Sequence, residues 1–194
     1  MADFAIGSVS SKSVKAQERD EAKEIYLKEK SEASIWSENV DVTNEQITSL
    51  DVNIADIKNV IKGLSTDLAV VASNKEKVGE DYKTLVFLHD ALKNKPKYTL
   101  TPDEKKFLAN FTEKKVALEE QKNQLTVNFE ELDKLIEVKK KDAEATEKKQ
   151  KEIKENLEKT IEPRYKKEDE EAQDAYKVWK KLEKEVEEEE RNKK

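Results

Sequence analysis

Between Ile47 and Leu92, apolar residues follow one another at alternating steps of three and four: Ile47, Leu50, Ile54, Ile57, Ile61, Leu64, Leu68, Val71, Val78, Tyr82, Leu85 and Leu92. Lys75 and His89 fill the two remaining places. A stripe this narrow, held over more than six heptads, is the a/d seam of a long helix that meets another helix. An ordinary globular helix carries a broader apolar face. Carried backwards, the same frame falls on Ala22, Tyr26, Ala33, Trp36 and Val40, with Glu29 and Thr43 as polar exceptions.

The rest of the chain must accommodate such a helix, and its composition leaves few options. Charged residues make up 42% and hydrophobic ones 35%, too polar a balance for a thick-cored globule. With three Gly and three Pro the turns must be few, so a sandwich or barrel that turns every 8–12 residues is excluded. The chain is expected to be all-α: a long antiparallel coiled-coil hairpin with a short helical module where the two terminal arms meet.

Local signals set the expected boundaries. Residues 1–13 read as an N-terminal tail whose large groups, Phe4 and Ile6 with Val9, are candidates to dock on the body or a partner. A helical arm follows over 14–42. The run Ser37–Asn44 holds weak helix formers, and Thr43 with Gln46 matches a capping box, with Val42 and Ile47 as its staple. A break or kink is therefore expected at 38–43, and the hairpin over 43–162. Pro96 should stop the first helix before Lys95, and the loop covers 94–101. Thr101-Pro102-Asp103-Glu104 is the clearest helix start, with Thr as N-cap, Pro at N1 and Glu at N3.

The return helix carries Leu108, Phe111, Leu118, Leu125, Phe129, Leu132, Ile136, Ala143, Ile153 and Leu157. It is weakest over Lys139–Glu152, where only alanines are apolar. Pro163 should end or kink it, and 163–194 form a C-terminal arm with a charged tail. Folding about 97–98 sets residue i opposite about 195 − i. Tyr26, Trp36, Tyr165, Tyr176 and Trp179 then gather at the end away from the loop, as the candidate core of the terminal module.

Chemistry is sparse. The chain has no Cys and one His, His89, which sits on the seam and reads as structural. No phosphate loop, metalloprotease helix, EF-hand loop or nucleophile elbow is present, so no catalytic residue, metal ligand, cofactor or small-molecule substrate is expected. A net charge of −6 from interspersed Lys and Glu argues against nucleic acid and anionic membranes as partners. The absence of a signal peptide or apolar span points to the cytoplasm.

A two-helix hairpin with lysines on its seams leaves apolar surface uncovered, so a protein partner or self-association is expected. The candidate partner interface is Ile47, Leu50, Ile54, Ile57, Ile61, Leu64, Leu68 and Val71, and a second candidate contact is the tip, Lys93, Lys95, Lys97 and Tyr98. The expected role is a structural or adaptor protein. In composition the chain resembles hairpin coiled-coil adaptors and the Lys/Glu-rich scaffolding or accessory proteins of virus particles. A membrane-remodelling helical dimer and a weak nucleic-acid binder are the remaining alternatives.

Overall fold

A computed structural model describes residues 13–192, and these are all-α, with no strand among them. The docking expected of Phe4, Ile6 and Val9 lies outside the described residues. Helix α1 spans Val14–Lys93, α2 Pro102–Ala109, α3 Phe111–Asn156 and α4 Glu162–Asn192. A 3₁₀ turn, Lys97–Thr99, lies before α2, and a π-helical turn, Leu157–Ile161, joins α3 to α4.

Helix α1 runs unbroken through residues 38–43, against the expected break. Thr43 does not cap a new helix. Its Oγ1 donates back to the Asn39 carbonyl at 2.7 Å, the alternative that Ser and Thr find inside a helix, and the residue is buried. Continuous apolar spacing thus outweighs a short run of weak formers.

At the other end the local signals decide. Helix α1 stops at Lys93, ahead of Pro96. At α2 the capping box is complete: Thr101 Oγ1 accepts from the Glu104 amide at 3.2 Å, and Glu104 Oε2 accepts from the Thr101 amide at 2.8 Å. Ahead of the π-helical turn, the return helix is interrupted only at Asn110, whose backbone still bonds Lys106 and Lys114 in helical fashion.

By its internal contacts the chain divides into two units, Asp51–Lys148 and the paired stretches Met1–Leu50 with Lys149–Lys194. In the first, the hairpin unit, contacts between the arms grow steadily more distant in sequence. The Lys95–Glu104 ion pair is followed by His89 stacked on Phe111, Tyr82 bonded to Glu119, Lys75 over the Phe129 ring and Lys58 paired with Glu147. This is a helical hairpin. Its register differs from folding about 97–98, since the midpoints of these pairs fall between Thr99 and Asp103. The cause is the 3₁₀ turn, which carries the chain past the end of α1 before α2 starts. Leu92 thus lies beside Leu108, and Leu100 is buried beneath the turn.

Every a and d place of α1 from Ile54 to Leu92 is buried or half-buried. Yet only Ile54, Val78, Leu85, Leu100, Ile136 and Ala143 are buried apolar residues in this unit. One partner helix covers the seam only in part.

Candidate functional sites in the terminal unit and at the hairpin tip

In the terminal unit, the buried residues are small or polar more often than large: Ala22, Ala33, Thr43, Gln150, Leu157, Glu168, Ala172 and Val186. Alanines let the helices approach closely, and the aromatics stand at the flanks of that contact. Tyr26 stacks on Trp179 with centroids 5.4 Å apart and lies 5.2 Å from Tyr176, which meets Trp179 edge-on at 5.8 Å. Lys180 Nζ sits 4.5 Å above Trp179, and Lys23 approaches the same ring at 5.8 Å. Lys180 also holds Glu183 at 2.6 Å, which raises the ammonium pKa above its ordinary value. Tyr165 stands apart from this stack and, with Tyr26 and Tyr176, walls an open groove of about 800 Å³ floored by Ala33 and Ala172. Trp36 joins neither group and carries the Arg164 guanidinium 5.9 Å from its ring.

A feature that sequence reasoning missed lies close by. Glu29, Glu32 and Glu168 bring carboxylate oxygens within 4.8 Å of one another. Glu168 is 1% exposed. Arg164 Nη2 lies 2.7 Å from its Oε1 but off the hydrogen-bond direction, so this oxygen has an ion-pair partner and no hydrogen bond. Lys28 lies 3.7 Å from Glu29 and 3.5 Å from Glu32, and the two acids hold its ammonium pKa above the usual value, Glu32 foremost. These are the described residues nearest to a ligand set for a hard cation. Two resident cations already face the three carboxylates, and a buried carboxylate needs that compensation. The available signal was Glu29, one of the polar exceptions on the seam of α1.

Lys15, at the start of α1, binds Glu189 at 3.0 Å and Glu185 at 3.5 Å on α4, and Glu189 chiefly raises its pKa. No kind of site arises from this pair, which fastens two helix ends.

At the hairpin tip, Lys93 is held by Asp90 at 2.6 Å and Lys95 by Glu104 at 3.0 Å. Of the candidate tip contacts, Lys97 and Tyr98 are thus the open ones, with Tyr98 88% exposed. His89 stacks on Phe111 at 3.7 Å and packs in the seam. The candidate partner residues Ile47 to Val71 face the return arm, Ile54 buried and the other seven half-buried.

No helix among the described residues is long and apolar enough to cross a membrane. No protein-family model matches the chain, and no curated protein or solved structure matches it either.

Proposed function

We propose that the chain is a non-enzymatic structural protein, an antiparallel coiled-coil hairpin that serves as a spacer or subunit in a larger assembly. The observation that carries this reading is the seam. Apolar residues at a and d places are spent on helix pairing over the whole length of α1, while the surface is a lattice of Lys–Glu pairs such as Lys58–Glu147, Lys140–Glu137 and Lys167–Glu171. The tyrosine-walled groove is open, and no hydrogen bond joins its Ser34 or Ser37 to Lys30, Lys177 or Asp169, the last of which accepts from Gln173. Of the four candidate tip residues, Lys93 and Lys95 are held in ion pairs, which leaves them little charge for firm nucleic-acid binding.

The reading is tested by isolating the tagged full-length chain from the cells that make it and measuring the mass of the native complex. Recovery in a defined assembly larger than the chain itself supports it. Recovery only as the free chain overturns it.

A further inference from the structure

The hairpin unit has two flanks beside its seam, and they differ. On one flank lie the e and b places of both arms, with Lys58, Lys62, Glu130, Lys140 and Glu147, and Lys58 reaches Glu147 across the seam at 2.8 Å. On the other lie the g and c places. A hollow lined by Asp81, Thr84, Leu85, Leu88, Lys114 and Ala117 shows that g and c places of the two arms share this flank. Here Val60, Val70, Leu88, Leu135 and Val138 stand 43% to 54% exposed. Large apolar groups repeated on one flank, beside a seam that one helix covers only in part, mark a surface made for a further layer of helices.

The charges on this flank identify what that layer is. Lys77 and Lys114 lie in the half near the loop, together with Asp81; Asp56, Asp67, Glu131 and Asp142 lie in the far half. A second copy laid head to tail sets the basic half of each on the acidic half of the other. Turned about an axis through Asn74 on α1 and Asn128 on α3, Val60 of one copy meets Leu88 of the other, and Lys114 meets Asp142. Asp67 meets Asp81, with Lys77 of each copy alongside to offset the like charges. Both arms accept the same axis, because Asn74 and Asn128 stand level in the hairpin's own register.

We propose that a second copy of this chain packs antiparallel on the g/c flank of Asp51–Lys148, completing a four-helix layer. The proposal rests on the structural-subunit reading and names the contact that such a subunit makes with itself.

Sedimentation equilibrium of the purified full-length chain gives a dimer mass. Val60→Glu with Leu135→Glu weakens association by roughly a hundredfold or more, because each copy presents both sites. Val116→Glu, on the charged flank, leaves it unchanged. Circular dichroism verifies that each variant keeps its helix content. As the chain lacks cysteine, Asn74→Cys and Thr84→Cys each introduce one thiol. Asn74→Cys oxidises to a linked dimer, whereas Thr84→Cys, about 30 Å from its own counterpart in this arrangement, does not. A monomer at all concentrations, or equal linkage of both variants, overturns the proposal. A purified monomer that is nonetheless recovered from cells in a large assembly sinks this contact alone, leaving the subunit reading in place.

Discussion

The hairpin unit and the terminal unit close helices on one another by different means. Between Asp51 and Lys148 a regular seam repeats, and its buried members are aliphatic: Ile54, Val78, Leu85 and Ile136. In the terminal unit alanines bring the helices together, aromatics stack along the edges, and a carboxylate occupies the most buried position. The first solution repeats one kind of contact, so truncating any buried rung costs the same hydrophobic and cavity terms. The second is made of a few unlike contacts, among them the buried Glu168 beside Arg164, where loss of one partner leaves a charge uncompensated.

Four measurements break or sharpen this contrast. Ile136→Ala should cost the hairpin unit about 3 kcal/mol in urea unfolding followed by circular dichroism, as expected for truncating a buried aliphatic side chain. Both tryptophans lie in the terminal unit, so their fluorescence reports that unit separately. An equal shift in the fluorescence midpoint would mean that the units unfold together and the contrast is only local. Arg164→Leu strands the Glu168 carboxylate and should cost the terminal unit roughly 2 kcal/mol, below the full penalty for a buried pair because Arg164 is half exposed. Adding Glu168→Leu should recover most of that loss. If the double variant is no better than the single one, the stranded Glu168 carboxylate is not the source of the loss.

Thr101→Ala removes the N-cap of α2 and should lower hairpin stability by about 1 kcal/mol. The smallest effect is a pH dependence at the same cap. The Thr101 amide, and then Lys95, hold the Glu104 carboxyl below its ordinary value. A folded pKa below the unfolded one gives a contribution that is present above the unfolded value of 4.5. It is lost as pH falls through the folded value. Acidification below about pH 4.5 should therefore move the Thr101 amide resonance in NMR titration, and Glu104→Gln should abolish that movement. A resonance that titrates near neutral pH would contradict the assignment.

Much of the fold was legible because the heptad spacing and the proline and capping signals are local. Pro96 and the Thr101 box set the ends of α1 and α2 as read from the sequence. The 38–43 break failed because propensity at Ser37–Asn44 is a weak preference that packing overrides, and the Thr43 hydroxyl found its partner in the preceding turn. The register was misplaced because a loop's path past a helix end cannot be read from its length. Glu168 was invisible because burial of a carboxylate depends on a partner arm some 140 residues away in sequence, at Glu29. The candidate partner residues were legible as a seam, but the open flank beside them appears only when both arms are laid side by side.

One turn of backbone governs how the C-terminal arm is read. Pro163 has no amide hydrogen, and its ring would collide with the Lys159 carbonyl in an α-helix. The π-helical turn at Leu157–Ile161, closed by the Glu162 amide on the Leu157 carbonyl, accommodates it and adds one residue to the repeat. Up to Leu157 the inward places follow Gln150 and Ile153; beyond it they follow Tyr165, Glu168, Ala172, Trp179 and Val186, one residue later than the earlier phase predicts. One residue corresponds to about 100° of rotation. The turn thus acts as a phase shifter: downstream of it, a sequence that looks out of step with the seam is in step with its partner. Straightening the turn to α-helix with every residue kept would turn Glu168 outward and present Lys167 in its place, whereas deleting one residue within it lets the helix run regularly with Glu168 still inward.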